Sequence, residues 1–304
     1  KRSGLVSQVY TEEILKELPG FAAIGHNRYS TSSGLGVEYS QPFVYEDPAK
    51  GGQAFALGHN GNLPSIEALL KFLEENGEIT ENHSDSQLMT QAIGVYLKKG
   101  KSLPAAIALC YPLFTGAFSC LVLGKDCLIG FRDPRGIRPL VLGQKDNETI
   151  ITSETCALDT IGAKFIREIE PGEIIIVTNS GIESRKITTE EPKFDIFEFV
   201  YFARYDSVML GRPVYEVRKN LGKILAQEHK LAVDMVIPVP ETAISAAIGY
   251  AEESGIPFEM GISKNRYINR TFIEPTQEIR KEKVRLKLTP LKEVIMGKKI
   301  AVID

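Results

Sequence analysis

His59-Asn60-Gly61-Asn62 stands between an apolar run, Ala54-Phe55-Ala56-Leu57-Gly58, and the segment Leu63-Pro64-Ser65. This context reads as a strand that enters a tight turn and then a helix start. Gly61 tolerates backbone angles at which a Cβ would clash, and it exposes its own N–H. Asn60 contributes a side-chain amide with two donors. A side-chain N–H beside a backbone N–H is the equipment that holds a developing oxyanion. Taken alone, the four residues are more simply an Asn-Gly turn joining two elements. What favours chemistry is the set of residues found elsewhere in the chain.

At 304 residues the chain is long enough for two domains. Its formal charge of −3 excludes a globally basic nucleic-acid binder, so an anion site has to be local. Apolar runs such as Gly172–Val177 fall far short of a membrane span. Cys110, Cys120, Cys127 and Cys156 lack metal-type spacing and read as reduced thiols of a cytoplasmic protein. The chain opens on Lys1-Arg2-Ser3-Gly4 and stops at Asp304, directly after the strand-like run Ile300–Ile303. A buried strand without continuation reads as a fragment, truncated at both ends.

Gly4–Tyr10 alternates and predicts a strand, and Thr11–Leu18 a short capped helix. Phe21–His26 is apolar and runs into a polar loop around Arg28. Helices are expected over Ser65–Asn76, over Gln87–Lys99 with Ser84 or Asp85 as N-cap, and over Ser102–Leu113. Gly116–Leu123, Asp126–Arg132, Pro139–Leu142, Thr149–Ser153 and Glu173–Thr178 are short and β-rich, as in an antiparallel meander. Together these elements predict a layered α+β domain over residues 1–192. After a polar boundary near Thr188–Lys193 the pattern changes. Expected strands at Phe197–Phe202, Asp234–Val239, Pro257–Ile262 and Lys298–Ile303 alternate with helices over Val214–His229 and Ala243–Ser254. That alternation predicts an α/β domain with a parallel sheet over 193–304. Ligands of such sheets sit beyond the carboxyl ends of strands, here Pro238–Thr242 and Asp304.

Arg28 offers a guanidinium fork suited to a carboxylate, and Thr31 a hydroxyl beside it. Asp85 can bind an ammonium, although an N-cap is the plainer role for an Asp at a helix start. An arginine, an oxyanion pair and an acid together make a receptor for a free amino acid carrying an amide. A nucleophile is harder to find. Cys110, Cys120 and Cys127 lie in apolar contexts where cysteine is a small hydrophobe, and Cys156 is the most exposed candidate. Lys264–Leu288 carries eight Lys or Arg against three Glu, a long basic loop suited to a polyphosphate ligand. A solvated charged loop is the plainer reading of it.

Three stretches, Gly25-His26-Asn27-Arg28-Tyr29-Ser30-Thr31, His59–Asn62 and Ser84-Asp85-Ser86, resemble the glutaminase domain of class II glutamine amidotransferases. Phe131-Arg132-Asp133-Pro134-Arg135-Gly136-Ile137-Arg138-Pro139-Leu140 is similar to that domain as well. Val200–Arg204, Pro238–Thr242, Lys264–Tyr267 and Arg270–Ile273 narrow the resemblance to the glutamine phosphoribosylpyrophosphate amidotransferases. The resemblance implies an N-terminal-nucleophile hydrolase domain followed by an incomplete type I phosphoribosyltransferase domain. It implies that glutamine is hydrolysed in the first and that channelled ammonia displaces pyrophosphate in the second. The implied product is 5-phosphoribosylamine, the first committed intermediate of purine synthesis. Arg28, Tyr29, Thr31 and Asp85 would hold glutamine, and Asn60 and Gly61 would form the oxyanion hole. Lys264, Arg266, Tyr267 and Arg270 would belong to the phosphoribosylpyrophosphate loop. Thr242 and Asp304 would stand at the Mg2+ that accompanies pyrophosphate.

The family nucleophile is an N-terminal cysteine, which no residue here matches, so no glutaminase turnover is expected of residues 1–304. Asp195–Glu198 stands where some members carry a cluster cysteine, so no iron–sulfur cluster is expected. Ala203-Arg204-Tyr205-Asp206-Ser207 departs from the family's usual Ala-Arg-Pro-Asp-Ser. Purine nucleotide inhibitors and a homo-oligomer, dimer or tetramer, are implied, with no nucleic acid or membrane partner. The alternatives are a non-catalytic regulatory paralogue and a different class II amidotransferase.

Overall fold

The structure is a computed structural model that describes residues 1–2, 4–28, 37–46, 53–265 and 284–304. The chain divides into two compact units, Lys1–Ser153 with Ala157–Phe194, and Glu154–Cys156 with Asp195–Asp304.

The first unit opens on two short helices, α1 (Val6–Val9) and α2 (Glu12–Lys16). The helix α1 replaces the strand expected over Gly4–Tyr10. Leu5, Val6 and Val9 are spaced for one helical face as well as for a strand, and a segment this short does not separate the two periods.

A six-stranded antiparallel sheet follows, in the order β1 (Phe43–Glu46), β2 (Gln53–Ser65), β3 (Thr115–Gly124), β4 (Leu128–Arg132), β8 (Glu173–Thr178), β9 (Gly181–Lys186). Between β2 and β3 the chain forms α3 (Glu67–Glu75), α4 (Asp85–Lys98) and α5 (Leu103–Cys110). Pro112 closes the expected third helix early, and a 3-10 turn, Tyr111–Leu113, takes its place. Between β4 and β8 lie β5 (Val141–Lys145), β6 (Glu148–Thr152), α6 (Thr155–Thr160) and β7 (Lys164–Glu168). The strands β5, β6 and β7 form a second, three-stranded sheet with β5 central.

Alternation along β3 and β8 produces the layers. Phe118, Cys120 and Val122 on β3, with Ile174 and Ile176 on β8, bury against Leu69 and Leu73 of α3, Leu88, Met89 and Ile93 of α4, and Ile107 of α5. The opposite face, Leu121, Leu128, Ile175 and Val177, packs on Leu140, Leu142, Ile151 and Ile169 around the second sheet. Strand β8 is covered on both faces, which is why its sequence is an unbroken apolar run. Cys156 is 5% exposed on α6, contrary to the exposed position expected of it.

In the second unit, β10 (Val208–Met209) and β11 (Arg212–Pro213) form a short hairpin ahead of α7 (Val214–Glu228). Strand β12 (Met235–Pro238) leads into α8 (Ile244–Ser254), β13 (Ile262–Lys264) pairs antiparallel with β14 (Leu288–Pro290), and β15 (Ile300–Ile303) lies parallel to β12. The strand expected at Pro257–Ile262 reduces to a parallel bridge between Val236 and Phe258. Helices α7 and α8 meet through glycines. A Cβ on Gly222 would lie 1.8 Å from the Ala246 carbonyl oxygen, and one on Gly249 would lie 1.9 Å from that of Lys219. The two backbones touch because both positions lack a side chain.

Phe197–Phe202 was expected as a strand and is a π-type helical turn over Glu198–Phe202, closed by the Ala203 N–H donating to the Glu198 carbonyl at 3.0 Å. The buried Arg218 of α7 accounts for it. Its Nε donates to the Phe199 carbonyl and its guanidinium to that of Ala203, at 2.5 and 2.7 Å. Nearby, Glu154 accepts from the Arg204 N–H and the Ser207 hydroxyl, both at 2.8 Å, and Arg204 pairs with Asp206 at 2.7 Å. The departure at Tyr205 is accommodated with its side chain exposed.

Candidate functional site

His59-Asn60-Gly61-Asn62 is not a turn. It lies inside β2, with Asn60 opposite Ser119 and Gly61 opposite Phe118 on β3, and α3 begins only at Glu67. Gly61 has φ +155°, and a Cβ there would lie 2.0 Å from the Ala117 carbonyl oxygen and 2.8 Å from His59 Nε2. The glycine allows β2 to press on β3 at this point. Phe118 accepts at its carbonyl from the Asp133 N–H at 2.8 Å, away from β2. Its pair with Gly61 is therefore of the non-hydrogen-bonded kind, and the Gly61 N–H faces the opposite edge of β2.

That edge is left open by β1, whose pairing with β2 reaches no further than Phe43 opposite Leu57. Gln41 continues the ladder with its side chain. Its Oε1 accepts from the His59 N–H at 2.5 Å and its Nε2 donates to the His59 carbonyl at 3.1 Å. His26 Nε2 donates to the same carbonyl at 3.1 Å.

The His59 ring is buried. Its Nδ1 is 2.9 Å from the Ser86 hydroxyl, which donates in turn to Asp85 Oδ1 at 3.2 Å. This relay assigns the proton to Nδ1. Burial lowers the His59 pKa to about 4 against the opposing pull of Asp85, with His26 and Arg138 lowering it further, so the ring is neutral.

Ser84, not Asp85, caps α4: its hydroxyl accepts from the Gln87 N–H, and the Gln87 side chain reaches back in a capping box. Asp85 is thereby released from the capping role. It accepts from the Ser86 N–H at 2.7 Å and the Leu63 N–H at 3.2 Å, and a carboxylate retains further acceptor capacity beyond these. Arg28, Gln41, Asn60, Gly61 and Asp85 line one cavity of about 270 Å³, and the Arg28 guanidinium lies over the Tyr39 ring at 5.6 Å. Four residues singled out in the sequence, Arg28, Asn60, Gly61 and Asp85, are thus brought together. Tyr29 and Thr31 lie outside the described residues.

Sequence reasoning assigned no role to Gln41, Ser86, Ser153 or Arg138. Arg138 donates to Asn60 Oδ1 at 2.8 Å, and Asn60 Nδ2 is 3.4 Å from the Ser153 hydroxyl. The signal for Arg138 was the dense charge of Arg132–Arg138. Arg132 donates to the carbonyls of Gly136, Arg138 and Ile169, while the buried Asp133 carboxylate accepts from the N–H groups of Arg135, Ile137 and Arg138. Two buried charges are used to fix one loop. Burial raises the pKa of all four thiols, Cys110, Cys120, Cys127 and Cys156.

In the second unit, β12 and β15 run parallel with Pro238 opposite Ile303, which sets Pro240–Thr242 and Asp304 at neighbouring carboxyl ends. Thr242 is half-buried and Asp304 exposed. Lys264, at the end of β13, lies 3.4 Å from the Glu241 carboxylate. Arg266, Tyr267 and Arg270 fall outside the described residues. Among the described residues no three His, Cys, Asp or Glu cluster as metal ligands, and no helix is long and apolar enough to cross a membrane.

Residues 26–160, which contain this cavity and its supports, match the family model of the glutamine amidotransferase domain. Over its whole length the chain is 44% identical to the amidophosphoribosyltransferase of Synechococcus elongatus and 41% identical to that of Methanocaldococcus jannaschii. It spans 62% and 67% of those two proteins. A solved allosteric regulatory enzyme of purine biosynthesis superposes with TM-score 0.88 at 39% identity, over 98% of this chain and 64% of its own. The Bacillus subtilis glutamine phosphoribosylpyrophosphate amidotransferase, complexed with ADP and GMP, superposes with TM-score 0.80 at 39% identity, over 91% of this chain and 59% of its own. The chain belongs to the amidophosphoribosyltransferase family.

Proposed function

We propose that the protein transfers the amide nitrogen of glutamine to phosphoribosylpyrophosphate, giving 5-phosphoribosylamine and pyrophosphate. The observation that carries this reading is the convergence of Arg28, Asp85, Asn60 and Gly61 on one cavity. Arg28 supplies a cation for the glutamine carboxylate and Asp85 an anion for its ammonium. The Asn60 amide and the Gly61 N–H then receive the amide oxygen as a thiolate adds to the carbon. The tetrahedral oxyanion collapses to a thioester as the C–N bond breaks and the departing nitrogen takes up the proton that the thiol lost, leaving as ammonia. Water then hydrolyses the thioester to glutamate and the free thiol. This reading takes the nucleophile to be none of the four thiols of residues 1–304, whose pKa values burial raises, and expects no glutaminase turnover of a polypeptide of these residues alone.

Residues 1–192 are the glutaminase part and 193–304 the phosphoribosyltransferase part. Thr242 and Asp304 offer a hydroxyl and a carboxylate oxygen, the hard donors that suit Mg2+ beside waters and phosphate oxygens. When bound, Mg2+ neutralises charge on the departing pyrophosphate. Lys264 stands at the same edge as a further cation for phosphate. Purine nucleotides regulate the enzyme, a reading supported by the ADP and GMP of the Bacillus subtilis complex. The enzyme works in the cytoplasm as a homo-oligomer.

The test is carried out on the intact protein. Arg28→Ala raises the KM for glutamine and leaves ammonia-dependent phosphoribosylamine synthesis in place. Equal loss of both reactions would refute this division of roles.

A further inference from the structure

We infer that Arg138 is a positioning residue for glutamine hydrolysis, setting the Asn60 amide so that its nitrogen, not its oxygen, receives the oxyanion. The inference rests on the oxyanion role proposed for Asn60. A carboxamide presents two nearly isosteric ends, and only one of them stabilises negative charge. With the oxygen turned inward, the same side chain would repel the intermediate. The site therefore needs a group that reads the difference.

A guanidinium carries donors and no acceptor. The Asn60 atom that faces Arg138 at 2.8 Å is thus Oδ1, and Nδ2 is turned the other way. Ser153 adds a weaker check, since its hydroxyl stands 3.4 Å from Nδ2 and accepts from it. An amide nitrogen has two hydrogens, so one contact with Ser153 still leaves a donor for substrate.

Arg138 is itself held at its backbone. Its N–H donates to Asp133 Oδ2 at 3.0 Å, and its carbonyl accepts from Arg132 Nε at 2.6 Å and from the Ser119 hydroxyl at 3.0 Å. Asp133 and Arg132 are 0% and 5% exposed. Two buried, opposite charges grip a residue whose side chain then ends on Asn60. Ser119 also lies opposite Asn60 across the β2–β3 ladder, so the strand pair and the loop fix the same point.

The experiment is a double-mutant cycle in the intact enzyme, read as glutaminase kcat and KM, with ammonia-dependent synthesis as the control for folding. Arg138→Met is expected to lower kcat about ten- to a hundredfold with little change in the KM for glutamine, short of the roughly 10²–10³ that loss of a whole oxyanion donor costs. Arg138→Lys, which keeps a cationic donor without the planar fork, recovers part of the loss. Guanidinium ion added to Arg138→Ala recovers part as well. In an Asn60→Ala background, Arg138→Met costs nothing more, because there is no amide left to orient. An additive effect in that background overturns the inference, as does loss of ammonia-dependent synthesis together with glutamine hydrolysis. If Asn60→Ala alone leaves kcat unchanged, the oxyanion assignment itself falls, a result distinct from additivity.

Discussion

Gln41 pairs with His59 as a strand residue would, its Oε1 accepting from the His59 N–H at 2.5 Å and its Nε2 donating to the His59 carbonyl at 3.1 Å. The side chain extends the sheet ladder past the point where β1 stops, and the Gly61 N–H faces the same edge. Gln41→Ala leaves two backbone groups without these partners. The expected cost is about 1–3 kcal/mol, since water from the adjoining cavity replaces part of the bonding. A urea titration of variant and parent checks it, and an unchanged midpoint would show that the pairing is not stabilising.

Gly61→Ala places a methyl group 2.0 Å from a backbone carbonyl at a φ that L residues rarely adopt. Strain and overpacking together predict about 2–4 kcal/mol of destabilisation, with β2 pushed off β3. Glutamine hydrolysis falls much more than ammonia-dependent synthesis. Wild-type stability in this variant would mean that β2 and β3 are not this close.

At Gly222 two effects oppose each other. Alanine within a helix gains about 1 kcal/mol over glycine. Here its Cβ meets the Ala246 carbonyl at 1.8 Å, a backbone group that no rotamer change can move. Overpacking costs about 1–3 kcal/mol or more, so Gly222→Ala is expected to be net destabilising, with ammonia-dependent synthesis reduced. A raised melting temperature would show that propensity wins and that α7 and α8 can separate freely.

His59 gives the stability a pH dependence. Its folded pKa, about 4, lies below its ordinary value of 6.5, so the unfolded chain binds the proton more readily between the two. Its contribution is complete above pH 6.5 and is lost as pH falls from 6.5 towards about 4. The slope is at most about 1.4 kcal/mol per pH unit. His59→Gln removes this component, so its stability declines less between pH 7 and 5. Chemical denaturation at pH 7, 6 and 5 compares the two, and parallel declines would rule out a buried neutral His59.

Local pattern was sufficient for elements whose burial follows one period. The helices α3, α4 and α7 and the parallel strands β12 and β15 are legible because one stripe or one run carries their apolar residues. Pattern failed where a distant polar group chose the backbone. Phe197–Phe202 is a helical turn because Arg218 collects its carbonyls from nineteen and fifteen positions away, and no window around residue 200 contains that arginine.

The same division holds at the candidate site. The sequence by itself determined which chemistry was available: a guanidinium at Arg28, a carboxylate at Asp85, an amide and a glycine at Asn60 and Gly61, and the family they resemble. Only the tertiary structure decided that His59–Asn62 is strand rather than turn, because the Ala117 carbonyl of β3 is what excludes a side chain at Gly61. It also decided that Ser84 caps α4 and leaves Asp85 to the cavity, and that Arg138 reaches Asn60 across 78 positions. Residue types set what a group can donate or accept. Which way each group points depends on pairings between segments far apart in the chain, and those form only when the layers pack.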